Sequence, residues 1–530
     1  MLLILALALV CLTSGIVNSI PQCAENAQKK EEIICKDVQY MKDFRGVGQK
    51  HWKHLKIIND NDKENQLEWD DIPEEFANLE HLDISQVGEL ILQDKGFENL
   101  PNLKALNMSN CKVESLKASH FADVNRLENL DASWNLLQNL SAELEHKFQH
   151  LEVANFSHNA IQLFETDGII PKLRVLHLDF NELKSINLPN YRNLEILTIS
   201  DNLIEKLTSN SFKQLTSMQE LIIISSPLNH IDDRTFESMT DLKNLNLSAN
   251  SLEKLTPDVF AGLTRLIQLD LNSNDLVELA PLQFQHLVKL QNLDISRNSL
   301  KSLNSKNFKN LVNLRKLYIY GNEIEEVKAN TFDNLVALDT LDLSYNSLEH
   351  LDADVFGSHT LPRLRKLLLK SNNLKSLHPL AFTSLPFLQY LSLGFNELST
   401  LDVRMFAPFR RLEKLHLGNN LIETISSDVL ESLTAVSELL LDKNRLSFLS
   451  NSNATFEKLE KVSLEGNPWQ CPCWEEMTKW LEARKVSYVR PHSPYFKGQK
   501  PLCVVTPVEF CVKDLRLVKE HHIEDIYNSG

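Results

Sequence analysis

From Leu79 to Asn467 the chain repeats one arrangement of apolar and polar positions, Leu-x-x-Leu-x-Leu-x-x-Asn. Copies read Leu127, Leu130, Ala132, Asn135; Leu242, Leu245, Leu247, Asn250; and Leu412, Leu415, Leu417, Asn420. With the last position as marker, the copies fall at Val87, Cys111, Asn135, Asn159, Asn181, Asn202, Ser226, Asn250, Asn274, Asn298, Asn322, Asn346, Asn372, Asn396, Asn420, Asn444 and Asn467. That makes seventeen copies, most of them 24 residues apart, with 22, 21, 26 and 23 as the other spacings. The Leu-x-Leu segment predicts a short strand whose two leucines point inward and whose middle residue points out. The marker Asn follows where the chain turns, and its amide is predicted to satisfy backbone groups that the bend removes from water. So short a strand cannot bury its leucines alone, so successive copies must stack into a parallel sheet. At ~4.8 Å per strand, seventeen strands extend roughly 75–80 Å.

A second apolar column lies six residues before the next copy's first apolar position: Phe121, Phe212, Phe236, Phe260, Phe284, Phe308, Phe332, Phe356, Phe382, Phe406 and Phe456. It predicts a stacked aromatic spine inside the solenoid. The copies leading to Leu173 and Leu194 lack this Phe, have the shortest spacings and carry Pro171 and Pro189, which reads as ordinary repeat variation.

The ends depart from the repeat. Residues 1–22 hold no charged side chain, and Leu2 to Val10 is an unbroken apolar run, too short to span a bilayer. This predicts a secretory signal over 1–19, cleaved after Ser19, and hence a secreted, extracellular protein. No later stretch approaches the ~20 apolar residues of a membrane span, so no membrane insertion is expected. Residues 20–78 read as an N-terminal cap, with Trp52, Leu55, Ile57, Trp69 and Phe76 available to cover the first repeat and Cys23 and Cys35 expected to pair. Residues 79–467 are the repeats, 468–514 a second cysteine-bearing cap, and 515–530 a polar tail. Trp474, Met477 and Leu481 are spaced to share one helical face on the last repeat. Secretion places the seven remaining cysteines in an oxidising compartment. Cys111 is then the odd one, at a marker position, and is expected to be a buried free thiol.

The 530 residues carry 55 Lys and Arg against 71 Asp and Glu, a net charge of −16. The acidic balance argues against nucleic acid as a partner. With Gly only 14, and no phosphate loop, nucleophile elbow, zinc-protease or calcium motif, the chain points away from an enzyme and from any cofactor. Asp270 and Asp294 occupy matching outward positions and read as a solvated pair, as does His521-His522 in the tail.

The repeat resembles the leucine-rich repeat, over about residues 79–467. The run Asn467-Pro468-Trp469-Gln470-Cys471-Pro472-Cys473, followed by Cys503 and Cys511, resembles the C-terminal cap of extracellular leucine-rich repeat proteins. Together these features are most similar to Toll-type receptor ectodomains and to coil-less insect leucine-rich immune proteins. The resemblance implies an α/β solenoid, a horseshoe of about seventeen repeats with its parallel sheet on the concave face and disulfide caps at both ends. It also implies pairing of Cys471 with Cys503 and Cys473 with Cys511, and a non-enzymatic protein-binding role in innate immune recognition. The same scaffold serves matrix and adhesion roles, which is the alternative expectation.

Binding on such a scaffold normally uses the outward strand residues, so a protein or glycan ligand is expected on the concave face. Lys316, Tyr318, Tyr320, Tyr345, Lys366, Lys370, Tyr390, Phe395, Lys414 and His416 form a basic and aromatic set on an acidic chain. Sequons head at Asn107, Asn139, Asn155, Asn246 and Asn453. Asn107, Asn155 and Asn246 lie between strand leucines, so glycans there would obstruct the N-terminal half of that face. The sequence leaves dimerisation open.

Overall fold

Three-residue strands form wherever the repeat predicts them, because each gains its hydrogen bonds only from the rungs on either side. The protein is described by a computed structural model over residues 22–40, 44, 52–59, 66–69, 72–140, 142–164, 170–188, 190–450 and 457–520. The predicted signal segment 1–19, Pro189, Asn453, Phe456 and His521-His522 lie outside these residues. The chain divides into two compact units, Met1–Pro227 and Leu228–Gly530.

In the first unit, Gln22–Glu25 pairs antiparallel with Glu32–Lys36, setting Cys23 against Cys35, and the two form a disulfide. Glu32–Lys36 then pairs parallel with His54–Ile58, which pairs with His81–Asp83. The predicted cap segment therefore contributes strands to the same ladder. The ladder continues in register, Leu82 beside Leu106, Leu130, Ala154, Leu176, Leu197 and Leu221. The second unit repeats the pattern from Asn244–Asn246 to Lys461–Ser463, with Leu245, Leu269, Leu293, Leu317, Leu341, Leu367, Leu391, Leu415, Leu439 and Val462 side by side. The seventeen predicted turns of the parallel solenoid are all present.

The aromatic spine is buried. In the second unit Phe260, Phe284, Phe308, Phe332, Phe356 and Phe382 stack at centroid separations of 6.1, 6.4, 6.0, 5.9 and 6.1 Å. In the first unit it reaches back further than the sequence pattern indicated, through Phe121 and Phe97 to Trp69. Where the column lacks Phe, Ile170 and Tyr191 are buried instead.

The marker amides tie the rungs together. Asn298 donates through Nδ2 to the carbonyls of Leu271 (3.0 Å) and Ile295 (3.1 Å) and accepts through Oδ1 from the Leu276 N–H (3.0 Å). One amide thus satisfies backbone groups on two rungs, and Asn322, Asn346, Asn396 and Asn420 do the same. Cys111 replaces one arm of this pattern. Its buried thiol lies 3.0 Å from the Ile84 carbonyl, the place an amide hydrogen would reach, and burial pushes its pKa up to about 11.

At the C-terminal end, disulfides join Cys471 to Cys503 and Cys473 to Cys511. The helix Cys471–Ala483 buries Cys473, Met477 and Leu481, whereas Trp474 is half-buried against Tyr488. The inward stripe is therefore i, i+4, i+8 from Cys473, because the disulfide fixes that side chain inside. Residues 515–520 are not a free polar tail: Leu515–Glu520 is helical, and Val518 packs on Phe448, Cys473, Val504 and Val512.

Candidate functional site on the outward face of the sheet

In the second unit the residues between the two strand leucines stand in one outward column: Asn246, Asp270, Asp294, Tyr318, Asp342, Leu368, Ser392 and His416. The column just before it runs Lys316, Thr340, Lys366, Tyr390, Lys414 and Glu438. The face is thus acidic at Asp270 and Asp294 and becomes basic and aromatic beyond them. The two carboxylates are half-buried and not fully solvated as the sequence suggested. Burial holds the Asp294 carboxyl above its usual range, with Asp270 and Asp342 adding to the effect.

Most of the predicted binding residues come together as two ordered clusters. In one, the Lys370 ammonium lies 5.4 Å from the centroid of Tyr345 and 4.8 Å from that of Phe395, close enough to both rings for cation–π attraction. Tyr345 and Phe395 are 54% and 49% exposed, so the rings still present surface. The Tyr345 hydroxyl is held below its usual pKa by its hydrogen bond to Lys370. In the other, Lys366 sits 5.5 Å from the centroid of Tyr390, whose hydroxyl meets His416 Nδ1 at 2.9 Å. Lys414 and Lys461 both pair with Glu438, at 3.3 and 2.7 Å. Burial lowers the His416 pKa, opposed by Glu438. Tyr318 and Tyr320 are half-exposed on one rung, outside both clusters, and Arg297 approaches Tyr320 at 5.7 Å. Lys316 is exposed beside them.

One placement differs from the sequence reading. Tyr345 and Phe395 are not strand residues. They lie in the turn just before the marker Asn, with φ of 55° and 57°. The strand has ended there, so strict alternation no longer tells which way a side chain points.

Asn107, Asn155 and Asn246 do face outward, each half-buried. Each Oδ1 accepts from the N–H two residues on, Ser109 at 3.1 Å, Ser157 at 3.0 Å and Ser248 at 2.9 Å. Asn139 is exposed. In the first unit Asn107 and Asn155 open into a cleft of about 540 Å³ shared with His54, His81, Asp131 and His177. Sequence reasoning missed another cluster there: Trp134, His158 and Phe180 occupy the same turn position as Tyr345 and stack ring on ring. Their signal was present as three aromatic or imidazole residues, each one place before a marker Asn.

Comparison with known proteins agrees with the fold. A leucine-rich repeat family model matches residues 216–276, 265–324, 313–359 and 362–422. Mouse chondroadherin is 38% identical over 97 residues, which are 17% of this chain and 26% of chondroadherin. Mouse mimecan is 30% identical over 150 residues, 27% of this chain and 46% of mimecan. The chain thus spans less than half the length of either relative. A leucine-rich repeat protein of Leptospira interrogans superposes with a TM-score of 0.53 at 25% identity, covering 81% of this chain and 96% of that one. The Drosophila Toll–Spatzle complex gives a TM-score of 0.66 at 18% identity over 89% of this chain and 73% of that one. Among the described residues no helix is long and apolar enough to cross a membrane. The chain is a leucine-rich repeat solenoid with disulfides near both ends, the architecture of a protein-interaction scaffold.

Proposed function

We propose that this protein is secreted and acts by binding an extracellular partner in innate immune recognition. The partner contacts the outward sheet face and its flanking turns between Lys316 and His416. The observation that carries this reading is the paired arrangement of Lys370 with Tyr345 and Phe395 and of Lys366 with Tyr390 and His416. Exposed aromatics beside fixed cations, on a chain of net charge −16, suit a partner with an anionic patch. Tyr318 and Tyr345 are the anchors, since a few aromatics usually dominate an interface. The lysines set association rate and salt dependence. Glycans on Asn107 and Asn155 would fill the cleft of the first unit, which leaves the Lys316–His416 region as the open face.

A second reading, a matrix or adhesion protein that organises other extracellular molecules, is supported by the 38% and 30% identities to chondroadherin and mimecan. Recovery from body fluid against retention in insoluble matrix separates the two.

The site is tested with Asp342→Asn, which writes the sequon Asn-Leu-Ser into the middle of the face. The full secreted protein is crosslinked in its native fluid and the captured partner identified. The glycosylated variant and a Tyr318→Ala, Tyr345→Ala double variant should both lose that partner. Undiminished capture by the glycosylated variant would exclude this face.

A further inference from the structure

The first unit carries an exposed aromatic ladder that the sheet-face site does not use. The ring centroids of Trp134 and His158 are 3.7 Å apart at 12°, and those of His158 and Phe180 are 4.1 Å apart at 10°. All three occupy the turn position before the marker Asn, with φ of 57°, 56° and 54°. Each backbone N–H is held by the next rung: Trp134 to the Ser157 carbonyl, His158 to Asp179 and Phe180 to Ser200. A bulky residue is a costly occupant of the left-handed region, where Gly and Asn fit best. Mutual stacking offsets that cost, yet it leaves Trp134 59% and Phe180 47% exposed. Leu136 and Leu203, each two residues after a ladder-column position, are themselves 50% and 47% exposed. With side chains of about 150–250 Å² for each aromatic, the exposed apolar area is on the order of 400 Å², a size that often marks a functional patch on a monomer.

The charge around the ladder selects its occupant. The next residue in the ladder column is Asp201, and its carboxyl is raised above its usual range by burial first and by Asp179 second, with His158 opposing. Asp179 accepts from the Thr198 hydroxyl and the Ser200 N–H. Among the described residues neither carboxylate has a Lys or Arg within ion-pair distance. Across these four rungs the ladder column reads Trp134, His158, Phe180 and Asp201, and the residues after the marker read Leu136, Ala160, Glu182 and Leu203, with no Lys or Arg in either. The whole unit holds 21 Lys and Arg against 33 Asp and Glu, a net −12, while the second unit holds 34 against 38, a net −4.

We infer that the Trp134–His158–Phe180 ladder is a docking surface for a cationic, apolar-flanked segment of a protein partner. Arg or Lys side chains of that segment meet Asp179 and Asp201 and lie over the end of the stack, while its apolar side chains cover Trp134, Leu136 and Leu203. A second copy of the chain fits less well. A stable interface takes about 800 Å² from each partner, and self-pairing would set the acidic surroundings of the ladder against themselves. An anionic lipid surface meets the same repulsion.

The test uses the full secreted protein and three labelled synthetic peptides: alternating Arg and Leu, the same with Glu for Arg, and the same with Gly for Leu. Fluorescence anisotropy should show that only the Arg–Leu peptide binds tightly. A Trp134→Ser, Phe180→Ser double variant keeps every charge and should lose tenfold or more in affinity. Asp201→Asn should lose severalfold at low salt and less at high salt. Leu136→Ser leaves the stack intact and gives a second reading should the double variant fail to fold. Equal affinity of the double variant, or equal binding of the Glu peptide, would overturn the proposal. So would a wild-type dimer in sedimentation that the double variant abolishes, or vesicle binding that depends on Trp134 and Phe180, since these name a second copy or a membrane as the occupant.

Discussion

Replacing Asn346 by Ala measures what a single marker amide contributes. Its Nδ2 reaches the carbonyls of Ile319 (3.1 Å), Leu343 (3.0 Å) and Ser344 (3.2 Å), and its Oδ1 accepts from the Ile324 N–H (3.1 Å). These bonds are not equally replaceable. The Ile319 carbonyl also receives Asn322, and the Leu343 carbonyl also receives Asn372, so each keeps one donor after the substitution. The Ile324 N–H keeps none, and the site is buried. The Ser344 carbonyl likewise keeps the Gly321 N–H. One orphaned buried donor costs about 1–3 kcal/mol, and three weakened acceptors add about 0.5–1 kcal/mol each, so the loss should be about 2.5–6 kcal/mol. Urea unfolding of the full chain, disulfides intact, gives the total. Hydrogen exchange should show the opening centred on Ile324 and its neighbours. Asn346→Leu fills the volume yet still orphans the N–H, so it should cost about as much as Ala. A loss under about 1 kcal/mol for Ala, or a Leu variant as stable as wild type, would refute the view that these amides hold the rungs through hydrogen bonds.

Leu343→Ala should cost about 2–5 kcal/mol in urea melts through the cavity it leaves, whereas Asp342→Ala should cost only about 1 kcal/mol, for its 2.9 Å bond from the Ser344 N–H; equal losses would mean the strand register is wrong. His416 has a pKa lowered by burial from its ordinary 6.5, so its contribution to stability is complete above about pH 6.5 and is lost as pH falls from there through the lowered value. His416→Gln should flatten the stability profile in that window, and parallel curves for variant and wild type would assign the acid sensitivity elsewhere. Cys111 should resist iodoacetamide at pH 8 until urea is added, since burial keeps the thiol protonated, and rapid labelling in the native protein would contradict its placement. Cys473→Ser should lower the yield of folded protein, because its bond to Cys511 holds the helix Cys471–Ala483 beside Val518; normal yields would argue that the remaining bridge suffices.

The repeat, the inward leucines and the single buried thiol were legible in the sequence because each rests on a fixed spacing within one rung. The pairing of Cys471 with Cys503 and of Cys473 with Cys511 was legible through resemblance, and that of Cys23 with Cys35 through their place just before the first repeat. What lay outside that reach depends on where a regular element stops. Tyr345 and Phe395 looked like strand residues, yet the strand Thr340–Asp342 is three residues long and the chain beyond Leu343 enters a left-handed turn. Trp134, His158 and Phe180 escaped for the same reason. Their spacings of 24 and 22 belong to the turn, and only the left-handed backbone reveals that such side chains stack along it. Val518 was read as part of a polar tail because its burial comes from partners as distant in sequence as Phe448.

The two rings that bracket Lys370 have a consequence for the thermodynamics of encounter. A free lysine on a surface samples many rotamers, and immobilising such a side chain at an interface typically costs about 0.5–1.5 kcal/mol. Held near Tyr345 on one side and Phe395 on the other, this ammonium has already given up much of that freedom before any partner arrives. An anionic group would meet a charge already in position, so calorimetry should find a smaller entropic penalty than a basic patch of loose lysines would impose. Trimming both rings to Ala would leave the charge of the face unchanged and should make the penalty larger.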